Sequence, residues 1–232
     1  MPITLFVQLT TSAAPPSPPL PDETKAVITA ALAGQAKWVA EHVSTASPKS
    51  QDERGAALFQ QLEDPHVCLE TSQWDNAAQH GQWLASEQYA AGSKTLGGHF
   101  DFGKLEYFYL DKPVLAPSEL AGEADGTIGL MQSPIISVGR VTIAADKKGD
   151  FVKAWADSRV VLEEFAKPYA ASGGWRTETP DQDSEEFVFF VGWPSVEKHN
   201  EFAKTEDFEK YAAPLSEYAK TRDLKHYKKV LQ

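Results

Sequence analysis

The spacing of apolar residues in the first half of the chain predicts a succession of strands and helices. β-Branched and aromatic runs bounded by turn residues are typical of strands, and such runs lie at residues 3–10, 55–62, 66–74 and 104–110. Residues 24–43 repeat apolar side chains with helical spacing, and Asp75 or Asn76 can cap a later helix. Gly97 and Gly98 end that second helical region. The predicted order is β-α-β-β-α-β.

The second half repeats this order in fewer residues. Its predicted strands lie at residues 135–144, 174–177, 186–193 and 224–231. The segment 149–169 predicts a helix with four large side chains facing inward, namely Phe151, Trp155, Leu162 and Phe165. Pro194 suits the first turn of the next helix, and Thr205 suits the start of a further one.

A constant offset relates the two halves from residue 55 onward. Trp74 matches Trp193, which sets the offset at 193 − 74 = 119 residues, and His80 then matches His199. A register of this length without a gap indicates one structural unit written twice.

The repeat divides the chain into two ferredoxin-like units. We predict a first unit at residues 1–112, a linker rich in proline and glycine at 113–134, and a second unit at 135–232. A four-stranded sheet with helices on one face leaves its other face bare, and two such faces can bury each other. The predicted fold class is therefore α+β, with two β-α-β-β-α-β repeats packed sheet to sheet as an intrachain barrel.

This order of elements, with Trp74 and Trp193 at strand ends and His80 and His199 on the helices that follow, resembles the dimeric α+β barrel superfamily. Within it, the chain is similar to antibiotic-biosynthesis-monooxygenase-type domains in a tandem fusion. The resemblance implies an aromatic-lined pocket between sheet and helices for a polyketide-like phenol of secondary metabolism. It also implies that the deprotonated substrate reduces oxygen directly, so that no cofactor is expected. A neighbouring branch uses the same parts for cyclisation or aldol chemistry.

Charge and cysteine content narrow the classes of partner. The net charge of −11 over 232 residues argues against a nucleic-acid surface, which needs clustered Lys and Arg. Cys68 is the only cysteine, and its apolar surroundings indicate a buried, inert thiol. No apolar run approaches the roughly 20 residues of a membrane-spanning helix, and the N-terminus lacks the pattern of a signal peptide. These features predict a cytoplasmic protein.

Polar residues at strand positions with apolar repeat counterparts are the leading candidates for chemistry. Glu70 matches Phe189, so an inward Phe189 implies an inward Glu70, and a carboxylate there is neutral, paired or functional. The alternative is an exposed carboxylate or one bridged to a cation. His226 matches Tyr107, and Tyr109 follows on the same face.

The matched histidines and tryptophans each allow two interpretations. His80 and His199 lie on apolar helical stripes, where each either packs beneath its sheet or shuttles a proton. Trp74 and Trp193 either seal the corner between strand and helix or stack on a planar ligand. Arg140 is the one cation of its predicted strand and is expected to hold an anion. The predicted catalytic residues are Glu70, His80, His199, His226 and Arg140, and the predicted substrate-binding residues are Trp74, Tyr107, Tyr109 and Trp193.

Other site types find little support in the sequence. His99, with His66 or His42, lacks the spacing of a defined metal site, so no metal is expected. The run 181–186 is expected to be a solvated acidic loop. The chain contains no phosphate-binding glycine loop, nucleophile elbow or Cys-x-x-Cys pair. The axial histidine of the haem-binding branches of the superfamily is not evident either.

Two functions follow from these observations. The first is a cofactor-independent oxygenase, or a related cyclase, acting on an aromatic small molecule. The second is a non-catalytic barrel that binds a small molecule or acts under stress, since fold alone does not fix function. The segments 13–21 and 44–53 occur only in the first half, and one of them is a candidate lid. A monomeric pseudo-dimer and a homodimer are both compatible with the internal repeat.

Overall fold

The computed structural model describes residues 1–12, 20–43, 50–115, 126–178 and 181–230. Most of the two candidate lid segments, and residues 116–125 of the predicted linker, lie outside these ranges. The chain forms two compact units, the first comprising Met1–Ala116 with Tyr227–Gln232 and the second comprising Pro117–His226.

The first unit is an antiparallel four-stranded sheet with helices in the predicted order. Its strands are β1 (Ile3–Thr10), β2 (Ala57–Gln61), β3 (Val67–Trp74) and β4 (Glu106–Leu110). Its helices are α1 (Asp22–His42), α2 (Ala77–Leu84) and α3 (Glu87–Leu96). The strand order β4-β1-β3-β2 is that of a ferredoxin-like unit, in which the second helical region is divided in two.

The second unit repeats this arrangement. Its strands are β5 (Ile135–Ala144), β6 (Ala171–Trp175), β7 (Ser184–Trp193) and β8 (Ala219–Lys229). Its helices are α4 (Lys148–Ala166), α5 (Val196–Phe202) and α6 (Glu206–Ser216). The strand order here is β8-β5-β7-β6. The last residues of β8, from Tyr227, pair with β2 and belong to the first unit, whereas the sequence predicts a second repeat that runs to residue 232.

Local side-chain hydrogen bonds explain where the short helices begin. The Asn76 side chain accepts a hydrogen bond from the backbone N–H of Gln79, so Asn76 rather than Asp75 caps α2. Ser195 caps α5 in the same way, which places Pro194 before the helix and not in its first turn. Thr205 caps α6 as predicted.

Strand alternation gives each sheet one face that packs beneath its own helices. In the first unit this face carries Trp74, which lies opposite Ile3, and Glu70, which lies opposite Val7. In the second unit the equivalent pairs are Trp193 with Ile135 and Phe189 with Gly139. The two cores therefore share one strand register. Within the described residues, no helix is both long and apolar enough to cross a membrane.

Candidate functional site

A cavity of about 70 Å³ lies between the sheet of the first unit and helices α1 and α3. Its walls are mostly aliphatic and aromatic, with a few polar groups. The lining residues are Leu9, Ile28, Ala31, Leu32, Gln35, Leu58, Glu70, Trp83, Gln88, Tyr89, Gly92, Ser93, Leu96 and Phe100. Such a setting is typical of a small-molecule site, which combines apolar walls with a small number of polar groups.

Glu70 is the acidic group of this cavity. It lies on β3 between Val7 of β1 and Leu58 of β2, both of them apolar. Among the described residues, none forms a hydrogen bond or an ion pair with its carboxylate, and burial raises the pKa of Glu70 to about 7. The inward orientation inferred from Phe189 is what the structure shows, and the alternative of a bridging cation finds no partner among these residues.

Two further polar groups lie near the carboxylate. Tyr89 is 36% exposed at the rim of the cavity. Burial is the largest cause that raises the pKa of Tyr89, followed by electrostatic interactions with Glu70 and with Tyr107. Gln35 is buried in the wall, and its Oε1 accepts a hydrogen bond of 3.4 Å from Nη2 of Arg54. This bond leaves the amide N–H groups of Gln35 as the donors it can offer to a ligand.

The outer wall of the cavity is the largely exposed helix α3. Helix α3 contributes five of the lining residues, yet none of its residues is buried. Gly92 lies in the middle of this helix, and a Cβ there would meet only Ala31, at 3.9 Å. A helix with few buried contacts has a low free energy of local opening. One side of the cavity is therefore covered by a helix that is largely exposed to solvent.

Trp74 and His80 are buried and form a cluster with the half-buried Tyr109, and none of the three lines the cavity. The Trp74 indole N–H donates to Ser72 Oγ at 3.0 Å, and the rings of Trp74 and His80 are 4.9 Å apart. His80 Nδ1 lies 2.8 Å from the Tyr109 hydroxyl. Burial lowers the pKa of His80 to about 4, so its imidazole is neutral at pH 7. The packing interpretation fits this histidine better than a proton shuttle.

Two predicted pocket residues lie away from the described cavities. Tyr107 is 53% exposed. Arg140 lies between Gly139 and Val141, which face the helices, so strand alternation turns it to the opposite face of the sheet. There it forms an ion pair with Glu186, which also binds Arg176 at 3.0 Å. Glu186 itself is a buried residue of β7, not part of a solvated loop.

A second cavity, of about 160 Å³, occupies the same position in the second unit. Aromatic residues dominate its walls. They are Phe151, Trp155, Phe189, Trp193, Phe202, Phe208 and Tyr211, and they are joined by Ser137, Val141, Leu162, Val191, His199, Ala212, Leu215, Arg222, Asp223 and Leu224. The inward orientation predicted for Phe151, Trp155 and Leu162 is confirmed.

His199, one of the residues that line this second cavity, is paired with His226, which does not line it. His199 Nδ1 is 2.8 Å from His226 Nε2, and the His199 ring stacks on Trp193 with centroids 4.5 Å apart. The Trp193 indole N–H donates to Ser137 Oγ at 2.9 Å. His226 thus takes the place that Tyr109 holds beside His80.

This correspondence corrects the sequence register at the last strands. The repeat offset of 119 matched His226 with Tyr107, whereas the hydrogen bonds match it with Tyr109, an offset of 226 − 109 = 117. The repeat therefore slips by two residues between the helices and the closing strands.

Several lining residues were not singled out from the sequence. Gln35 is a polar residue on the apolar stripe of α1, three positions after Leu32, and this departure from the pattern is a usable signal. Tyr211 lies three residues after Phe208 and four before Leu215, so helical spacing alone places it on the inner face. Trp83 shares the inner face of α2 with His80.

Two smaller predictions concern cysteine and metals. Cys68 is buried, and burial raises the pKa of its thiol to about 12, as expected for an inert cysteine. Within the described ranges, no three His, Cys, Asp or Glu side chains gather in a way that could hold a metal ion. His66 and His99 instead bond to the threonines Thr11 and Thr24.

Comparison with known proteins shows the fold and no closer relationship. No family model and no curated protein matches the sequence. Solved structures do match over nearly the whole chain. A proposed monooxygenase from Lactobacillus acidophilus NCFM is 12% identical, with a TM-score of 0.56, and the match covers 99% of this chain and 94% of that one.

Two further solved structures agree with this match. A proposed monooxygenase from Fusobacterium nucleatum is 8% identical, with a TM-score of 0.60 and coverage of 99% and 92% of the two chains. An anthrone oxidase-like protein is 9% identical, with a TM-score of 0.60 and coverage of 98% and 91%. The chain therefore has the α+β fold of the dimeric α+β barrel class, as the sequence predicted.

Proposed function

We propose that the first unit is a cofactor-independent oxygenase for an aromatic small molecule with an acidic C–H or O–H group, and that Glu70 is its general base. The observation that carries this proposal is a carboxylate without a described partner in an apolar cavity, with its pKa raised to about 7. A base of this pKa is half ionised near neutral pH, where proton transfer is most effective. A carboxyl group tuned by an apolar pocket is a recurring feature of acid–base sites.

The chemistry balances without a further reactant. For a substrate with a reactive CH₂ group, Glu70 removes one proton and leaves a carbanion delocalised into the aromatic rings. The carbanion transfers an electron to O₂, and the resulting radical pair joins to give a peroxide anion. Protonated Glu70 returns its proton to the terminal oxygen, and loss of water yields a ketone. The sum is R₂CH₂ + O₂ → R₂C=O + H₂O.

Gln35 and Tyr89 are placed to assist the anion. Negative charge that develops on a substrate oxygen is stabilised by preoriented donors in a site that excludes water. The amide of Gln35 is held by Arg54, and the Tyr89 hydroxyl stays protonated because its pKa is raised. Both groups line the same cavity as Glu70.

The size of the cavity limits how a substrate binds. A cavity of about 150 Å³ binds benzene, so 70 Å³ does not enclose a whole aromatic ring. We infer that the reacting edge of the substrate enters while α3 moves outward, because that helix has no buried residue to hold it. The polycyclic phenol implied by the family resemblance would then lie partly under α3 and partly at the rim formed by Gln88 and Tyr89.

The names of the structural neighbours support the same class of reaction. Two of them are described as proposed monooxygenases and one as anthrone oxidase-like. At 8–12% identity these names say nothing of this chain's substrate. They guide the choice of first probes instead, which are anthrone and 1-naphthol.

The test measures oxygen uptake and product mass with anthrone and with 1-naphthol, after subtraction of the enzyme-free rate. We expect anthrone to gain one oxygen and lose two hydrogens only in the presence of O₂. Glu70→Gln should lower the rate at least a hundredfold, since a general base contributes about 10²–10⁴. Glu87→Gln is the matched control, because Glu87 lies at the start of α3 and does not line the cavity.

The pH dependence of kcat/KM separates the role of Glu70 from a structural effect. The base must be ionised, so kcat/KM of the wild type should fall as the pH drops through about 7. Conversion without oxygen and without a change of mass would replace the oxygenase by a cyclase or isomerase. Saturable binding with no turnover in any condition would contradict catalysis and favour the small-molecule-binding function.

A further inference from the structure

We propose that the cavity of the second unit is a separate binding site for a flat aromatic molecule that carries a hydrogen-bond acceptor next to its ring, and that Tyr211 donates to this acceptor. The site binds its ligand and does not deprotonate it. This inference stands on the second unit alone and does not depend on the oxygenase activity of the first.

The size and walls of the cavity select an aromatic ring. Its volume of about 160 Å³ is that of a cavity known to hold a single benzene ring. Trp155 and Phe189 lie in its wall with ring centroids 5.2 Å apart in a tilted arrangement. Phe202 and Tyr211 form another pair at 5.7 Å. Aromatic walls of this kind favour stacked and edge-on contacts with a planar ligand.

The Tyr211 hydroxyl supplies the polar contact. Tyr211 is only 9% exposed and lines the cavity, yet none of the described residues forms a hydrogen bond with its hydroxyl. The described side-chain atoms that are fully enclosed and lack a partner do not include this hydroxyl, so it is accessible to a small molecule that enters the cavity. Burial raises the pKa of Tyr211, so the group stays protonated and acts as a donor. An acceptor on the ligand would satisfy it.

A tyrosine occurs at this position only in the second unit. Its repeat counterpart is Gly92, since 211 − 119 = 92, and Gly92 lines the first cavity without any side chain. The second cavity therefore carries its hydroxyl at a position where the first has none, and the first carries that of Tyr89 where the second has Phe208. Donors placed differently in the two equivalent cavities point to different ligands.

The second cavity lacks the base of the first. Phe189 stands where the first unit has Glu70, and its ring lies against Gly139 in the neighbouring strand. Asp223, the one carboxylate that lines the second cavity among the described residues, is exposed and paired with Lys225 at 2.9 Å. A bound ketone or phenol thus meets the Tyr211 hydroxyl and mainly aromatic walls, with His199 and the exposed Arg222 as the basic groups of the lining.

The experiment compares two probes of nearly the same shape by titration calorimetry on the full chain. Acetophenone carries a carbonyl oxygen where α-methylstyrene carries a CH₂ group. We expect both to bind, and we expect Tyr211→Phe to weaken acetophenone about five-fold, the size of one lost hydrogen bond, while α-methylstyrene is unaffected. Tyr218→Phe is the matched control, because Tyr218 packs on the core of the same unit but does not line the cavity, and it should change neither affinity.

A second pair of variants locates the binding site. Ala212 and Ser93 are repeat counterparts (212 − 119 = 93), and each lines its own cavity. Ala212→Phe should abolish binding of both probes, whereas Ser93→Phe should leave it unchanged. Loss of binding in Ser93→Phe with retention in Ala212→Phe would overturn the proposal. An equal effect of Tyr211→Phe on both probes, or no saturable binding by the wild type, would also overturn it.

Discussion

The two cavities of this protein occupy the same position in two copies of one unit, yet they differ in chemistry. The first holds about 70 Å³ and a carboxylate, and the second about 160 Å³ and a ring of aromatic side chains. The supporting structure is nearly the same in both. Trp74 and Trp193 each donate to a serine, and His80 and His199 each pack against that tryptophan.

This comparison shows which positions of a duplicated unit can be replaced while the fold is retained. The tryptophan–histidine corner fixes the angle between the third strand and the helix that follows, so a change there disturbs the whole core. A lining residue such as Glu70 or Phe189 faces the cavity, so its replacement changes the surface that a ligand meets. The unit therefore keeps its packing and varies its binding chemistry.

The largest effect we expect concerns the pH dependence of the free energy of unfolding. Glu70 has its pKa raised from 4.5 to about 7, so its contribution to stability is full below pH 4.5 and is lost as the pH rises through 7. His80 has its pKa lowered from 6.5 to about 4, so its contribution is present above pH 6.5 and is lost as the pH falls through 4. Each shift corresponds to about 3 kcal/mol, and the two trends oppose each other.

Glu70→Gln removes one of these opposing trends. In the wild type, the opposing contributions of Glu70 and His80 should leave the free energy of unfolding nearly constant between pH 4.5 and 7. The variant should become more stable as the pH rises over the same range, and at pH 8 it should exceed the wild type by up to about 3 kcal/mol. Urea unfolding at pH 5, 6, 7 and 8 measures this. Parallel pH profiles for wild type and variant would show that Glu70 is hydrated in the folded state.

A smaller effect tests why the second unit accommodates Phe189. A Cβ added at Gly139 would overlap the Phe189 ring, whereas the equivalent position beside Glu70 is Val7. Gly139→Ala should therefore lower the free energy of unfolding by about 2 kcal/mol through overpacking. In the background of Phe189→Ala the same change should cost almost nothing, because the clash is gone. The difference between the two costs is the coupling energy of the pair.

The double variant Gly139→Val with Phe189→Glu extends this comparison, because it gives the second unit the residue pair that the first unit has at Val7 and Glu70. It should fold and acquire a titrating carboxylate in the second cavity. A cost of Gly139→Ala that is the same with and without Phe189 would show that the glycine serves another purpose than making room for the ring.

Much of this architecture could be predicted from the sequence, because periodicity and repetition are local signals. The order of strands and helices, the cap at Thr205 and the inward orientation of Glu70 all followed from spacing and from the match between halves. Strand alternation also places Arg140 on the opposite face of the sheet from Gly139 and Val141, so it does not line either described cavity.

The composition of each cavity wall was harder to predict. Whether Gln35 or Tyr211 meets a ligand depends on how each helix is rotated about its axis over the sheet. The spacing of apolar residues determines that rotation only to within the width of a side chain. The partner of His80 was also missed, since a two-residue slip before the closing strand shifted the match from Tyr109 to Tyr107. Such slips arise in connections, where insertions cost little.

The smallest expected effect concerns the N-terminal caps of α2 and α5, and it tests whether the two caps contribute equally to stability. Asn76 and Ser195 are matched N-caps, which accept hydrogen bonds from Gln79 at 3.0 Å and from Lys198 at 3.2 Å. Asn76→Ala and Ser195→Ala should each lower the free energy of unfolding by about 1 kcal/mol. Asn76→Asp and Ser195→Thr keep an acceptor and should restore most of the loss. Equal losses of stability would mean that the caps contribute equally in both units, since α2 and α5 follow equivalent strands. A cost confined to Asn76 would instead tie the cap to the site of Glu70, because α2 supplies Trp83 to the wall of that cavity.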